Sequence, residues 1–198
     1  IVSSTEESER FLFDWRKTIG ELFAENYASL DEFIRKEYDM NGCFIEAHAN
    51  GRVFVAYGMS MKKNATYPMS EIWLQGPVGT KDREAESISD IRESASIAHI
   101  YGQNIVAAES FTAIGAEKQA YTFCPENLKP VADRALAHGV NLFVIHESAH
   151  QPLDSHKPGL GLGVYGQWFN RHETWAEQAG AWIQYLARSS FMLQQGKA

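Results

Sequence analysis

Glu109, Glu71 and Glu46 each stand in or at the end of a short apolar run, and His146 closes a fourth run of the same kind. Glu109 follows Ile105-Val106-Ala107-Ala108, a run with no other ionisable group. Burying a carboxylate unpaired is costly, so Glu109 is expected to face a strand-end site or to find a partner. A salt bridge to a neighbouring loop is the plain structural alternative. Glu71, in Pro68-Met69-Ser70-Glu71-Ile72-Trp73, lies two residues from a tryptophan. That pairing suits a sugar subsite, with the indole stacked on a pyranose and the carboxylate handling hydroxyls or protons; an edge-strand glutamate beside a core tryptophan is the other reading. Glu46, with His48 after it, could ligate a metal or bond a hydroxyl. His146 reads as a substrate contact or as a satisfied core histidine. Strand alternation would turn Glu147 away from the face of His146, and Asp154 and His156 read as solvated loop residues.

Acid chemistry without a nucleophile motif narrows the reaction. There is no G-x-S-x-G elbow, no H-E-x-x-H pair and no cysteine cluster in the chain. Two carboxylates across a glycosidic bond, one giving a proton and one activating water or attacking directly, are what glycoside hydrolysis needs. The formal net charge of -7 argues against a nucleic-acid backbone as partner. No apolar run approaches the roughly 20 residues that cross a bilayer, so no membrane partner is expected. Cys43 and Cys124 lie in or beside apolar stretches and read as buried free thiols.

The elements that must position these residues alternate. Residues 1–42 read as leading helices, one over Glu6 to Ala24 and one over Leu30 to Tyr38. Residues 43–198 then read as four strand-helix units. Strands are expected at 43–45, Ser70 to Leu74, Ile105 to Ala108 and Leu142 to Ile145. Helices are expected over Glu84 to His99, Pro130 to His138 and Arg171 to Gln195. Such alternation indicates a parallel sheet, and four units amount to half of a (β/α)₈ TIM-type barrel. A doubly wound sheet would also place ligands at strand ends. However, Gly159, Gly161 and Gly163 lie in a long loop with no helix directly following, and do not form a dinucleotide fingerprint. Half a barrel exposes two sheet edges, so a missing N-terminal half or self-pairing would be needed, and one partial domain of a longer chain is expected.

Several stretches, in order, resemble the α-L-rhamnosidases of glycoside hydrolase family 106. They are Pro68 to Trp73, Ala98 to Gly102, Val106 to Thr112, Leu128-Lys129 with Asp133, and Gly139 to His146. Further on, Pro158-Gly159, Gly163 to Gly166, Arg171, Thr174-Trp175, Tyr185 to Arg188 and Leu193 to Gly196 continue the match. Ala65-Thr66 departs from it, standing where the family often has an acidic residue. The resemblance implies the C-terminal half of a catalytic barrel and inverting hydrolysis of α-L-rhamnosides. It also implies calcium dependence and a large multi-domain, periplasmic or secreted enzyme, of which this chain would be a part. Glu109 and Glu71 become the catalytic candidates, and Glu46, His146, Trp73, Tyr165 and Trp168 the substrate-binding ones. A glycosidase for another sugar, or a carbohydrate-binding module that has lost its chemistry, are the competing readings. The isolated segment is expected to be inactive, since half the barrel mouth would be missing.

Overall fold

Thr5 starts the first helix by capping it: its Oγ1 accepts from the Ser8 amide, and Glu6, Glu7 and Glu9 complement the positive end of the helix dipole. Helix α1 then runs unbroken over Glu6–Tyr38 and stops where Asp39 turns left-handed, at φ 50°. One helix thus replaces the two expected, because no glycine after Gly20 and no proline interrupts the stretch, and Phe23, Ala24 and Tyr27 pack continuously on Met61 and Ala65. In this computed structural model the described residues are 5–40, 44–46, 57–74, 84–113, 121–157, 159–161, 163 and 165–195. Among them follow β1 (Phe44–Glu46), α2 (Gly58–Lys62), β2 (Tyr67–Trp73), α3 (Glu84–Tyr101) and β3 (Ala107–Thr112). The chain continues with α4 (Pro125–Ala137), β4 (Leu142–Ile145), a 3-10 turn over Ala176–Gln178 and α5 (Ala179–Leu193).

The four strands form one sheet in the order β1-β2-β3-β4, every neighbouring pair parallel. The order never reverses, so the described strands contain no switch point of the kind a doubly wound sheet uses. One face of this sheet carries the helices. Ile72 and Ala108 pack with Ile91 of α3 and Ala135 of α4, while Phe111 packs with Leu128 and Ala132 of α4 and Trp182 and Leu186 of α5. The opposite face presents Glu71, Glu109 and Val144 in one row across three strands. This alternating α/β section is of the kind found in a βα barrel.

Several element ends differ from the sequence reading. Helix α4 begins at Pro125 rather than Pro130, because Cys124 and Asn127 cap it and Pro125 takes the first turn, where a missing N–H costs nothing. Cys124 is therefore a half-buried capping residue, not a core thiol; Cys43 lies outside the described residues. The final helix starts at Ala179, after the 3-10 turn, not at Arg171. Strand β3 extends three residues beyond Glu109, so Glu109 sits within the strand rather than at its exit.

That extension contains an irregularity. Ile72 pairs with Ser110, but the next residue, Trp73, pairs with Thr112, so Phe111 is the extra residue of a bulge. Its φ of 70° lies in the left-handed region that residues with a Cβ avoid. The bulge turns the Phe111 ring, fully buried, into the helix-side core, stacked 5.9 Å from Phe143 and 5.9 Å from Trp182. It also turns Thr112 onto the face of Glu109, where simple alternation would have put Phe111. Phe111→Ala should therefore cost about 3–5 kcal/mol, as large-to-small changes of core aromatics do. The check is earlier thermal or denaturant unfolding of the domain.

Candidate functional site

On the helix-free face, Glu71 and Glu109 are direct partners across β2 and β3. Neighbouring strands lie about 4.8 Å apart, so the two side chains leave the sheet side by side. Both are half-buried. Beside them the bulge brings Thr112, a fully buried hydroxyl that donates to Glu109 Oε1. His146, one residue past β4, reaches the same oxygen: its Nδ1 is 3.0 Å from Glu109 Oε1 and 3.1 Å from Thr112 Oγ1. The His146 amide is held by the Ser110 carbonyl at 3.0 Å, which fixes the base of the imidazole. Thr112 and His146 thus both approach Oε1. The arrangement can orient a carboxylate and hold two acidic groups against one ligand.

The segment after β4 folds back over this face. Gln167 donates its amide to the His146 carbonyl at 2.9 Å, Glu147 donates to Gln167 at 3.2 Å, and Gly166 donates to Ala113 at 3.0 Å. Gly166 has φ 90°, and a Cβ there would stand 3.3 Å from Glu147 Cγ and 3.5 Å from the His146 ring. Both side chains thus border one spot, contrary to the expectation that Glu147 turns away. Strand β4 ends at Ile145, so alternation does not govern the pair that follows. Tyr165 stands edge-to-face with Trp73 at 6.2 Å. Trp168 pairs instead with Tyr121, at 5.8 Å, and covers Gly161. Tyr165, Trp168 and Glu147 nevertheless line one small pocket with Leu160 and Asn170.

The structure thus brings together Glu109, Glu71, His146, Trp73 and Tyr165 among the residues singled out in the sequence. Glu46 ends β1 opposite Met69, two residues before Glu71, and its side chain lies outside the described residues. Asp154 is exposed, as expected, yet holds Arg171 at 2.6 Å. Sequence reasoning missed Thr112, whose position depends on the bulge, and Glu147, whose Oε1 is buried without a hydrogen-bond partner among the described residues. It also missed α2, which is too short for a periodic signal. Among the described residues no group of three or more His, Cys, Asp or Glu could hold a metal ion. Nor is any helix of the described residues long and apolar enough to cross a membrane.

A parallel sheet with helices on one face and two carboxylates side by side on the other is an α/β arrangement. The chain belongs to the glycoside hydrolase 106 family, whose model, described as alpha-L-rhamnosidase, matches residues 1–198. It is similar to the solved rhamnosidase from Novosphingobium sp. PP1Y, with 41% identity and a TM-score of 0.81 over 96% of this chain and 17% of that one. It is also 39% identical over 196 residues to a protein of Formosa agariphila named "Putative beta-glucuronidase", covering 99% of this chain and 15% of that protein. The chain therefore spans less than a fifth of either relative's length.

Thr112→Val keeps the shape but removes the donor to Glu109. We expect it to lower kcat about tenfold in the enzyme that carries this chain, with KM little changed, since small losses of orientation are costly in rate. Steady-state kinetics beside a thermal melt checks this.

Proposed function

We propose that the chain supplies the acid/base carboxylates of an enzyme that hydrolyses terminal α-L-rhamnosides of polysaccharides or other glycosides. Glu71 and Glu109 are that pair, one delivering a proton to the glycosidic oxygen while the other, ionised, activates water or attacks the anomeric carbon. The observation that carries the reading is their register: direct partners on adjacent strands, on the face without helices. His146 and Thr112 hold Glu109 in place, and Trp73 with Tyr165 offers an apolar wall to a sugar ring. A 6-deoxy sugar, carrying a methyl group where glucuronate carries a carboxylate, suits such a wall.

Within the same proposal the chain is the C-terminal half of a (β/α)₈ barrel in a longer, periplasmic or secreted enzyme. Val144, in the row of Glu71 and Glu109, is exposed, as are Phe11, Trp15, Leu22 and Phe33 of α1. These are apolar surfaces that further barrel strands and helices would cover. The small share of each relative that the chain covers supports the same view.

The test is turnover of an aryl α-L-rhamnoside and an aryl β-D-glucuronide by the complete enzyme, beside Glu109→Gln and Glu71→Gln. Loss of rhamnoside turnover by about 10²–10⁴-fold in both variants is expected, the range for a lost general acid or base. The variant that retains more activity on aglycones that leave readily marks the acid. Turnover of the glucuronide alone would keep the carboxylate pair and replace the sugar. Full activity in both variants would remove the pair from the chemistry.

A further inference from the structure

Behind Glu71 lies a buried ion pair, Lys62 with Asp90. Leu74 donates its amide to Thr112 of β3 at 2.7 Å, so the amides of Glu71 and Trp73, of opposite parity, point towards the β1 side of β2. Among the described residues β1 pairs with β2 only as far as Met69. Beyond it, two side chains of α3, one turn apart, accept these amides. Asp90 Oδ2 accepts the Glu71 amide at 2.9 Å, and Ser87 Oγ accepts that of Trp73 at 3.4 Å.

Asp90 is itself buried, and its other oxygen, Oδ1, accepts from Lys62 Nζ at 2.9 Å. Lys62, on α2, is completely buried; Ser94 Oγ at 2.9 Å and Glu93 Oε1 at 3.2 Å complete its surroundings. Desolvating an ammonium and a carboxylate is expensive, and well-packed apolar residues often serve stability as well or better. Here the second carboxylate oxygen of Asp90 accepts the backbone amide of Glu71, a contact an apolar pair could not supply.

We infer that Asp90, neutralised by Lys62, is a positioning residue that sets the backbone of Glu71, and through it the carboxylate, at the mouth of the sheet. Ser87 does the same more weakly for Trp73. The inference rests on the reading of Glu71 as one of the acid/base pair.

Two double variants of the complete enzyme separate positioning from packing: Lys62→Met with Asp90→Asn, and Lys62→Met with Asp90→Leu. Both remove the same two charges, leave Glu93 in the same surroundings and are similar in size, but only the asparagine keeps an acceptor for the Glu71 amide. With an aryl α-L-rhamnoside as substrate, the asparagine variant should hold kcat within about threefold of wild type. The leucine variant should lose about 10–100-fold in kcat with KM and melting temperature near those of its partner, the scale of a misplaced catalytic group. Equal kcat in the two would overturn the inference. If the leucine variant does not fold, Ser87→Ala decides, since it leaves the ion pair intact. A rise in KM of about threefold at constant kcat supports the same device, and unchanged constants overturn it. Glu71→Gln, run in parallel, separates the two levels. An inactive Glu71→Gln with equal double variants removes only the positioning role, whereas an active one removes the role of Glu71 and the inference with it.

Discussion

A single extra residue in β3, accommodated opposite an uninterrupted β2, decides which side chains share a face. Up to Ser110 the strand alternates, sending Ala107 and Glu109 one way and Ala108 and Ser110 the other. Left-handed backbone at Phe111 costs of order 1–3 kcal/mol, and it resets the alternation by one position. Burial of the phenyl ring between Phe143 and Trp182 offsets that cost, since a fully buried Phe side chain contributes roughly 1.5–3 kcal/mol. The core and the polar cluster are thus coupled. The same displacement that drives Phe111 into the helices delivers the Thr112 hydroxyl to Glu109, and His146 then completes the set from β4.

Much of this layout was legible in the residues. Short β-branched runs ending on ionisable groups gave the parallel strands, and 142–145 was placed without error because Gly139 and Asn141 punctuate it sharply on one side and His146 on the other. Glu71, Glu109, His146 and Trp73 were identifiable because polar or aromatic groups in short apolar runs are conspicuous. The side-by-side placement of the two glutamates was not, since register between strands 38 positions apart is set by packing rather than by local pattern. Thr112 was hidden by the bulge, which carries no glycine to announce it. Lys62 and Asp90 were hidden for a different reason: a lysine and an aspartate 28 positions apart, on a five-residue helix and a long one, read as ordinary surface charge. Their burial arises only when α2 and α3 meet over the end of β2. The residues between Ala24 and Leu30 lack the apolar stripe that marks the two expected helices, but packing on Met61 and Ala65 carries α1 through.

The family gives a shared scaffold, and the two relatives carry names that point to different sugars. On βα scaffolds specificity resides in the segments leaving the strands, and here the segment after β4 supplies Tyr165, Trp168 and Glu147 around one pocket. The strand residues beneath form a carboxylate floor, and in the proposed function the returning loop is the wall that a sugar would meet.

Gly166 draws a boundary through that wall. Its φ of 90° strains any L side chain, and a Cβ there would stand 3.3 Å from Glu147 Cγ, so a substitution would have to push that side chain aside, while its neighbour Tyr165 stands half exposed. An engineer seeking a new sugar preference would find position 166 costly to change and position 165 the easier to vary. Backbone shape constrains the loop at one residue, and side-chain chemistry can be varied at the next.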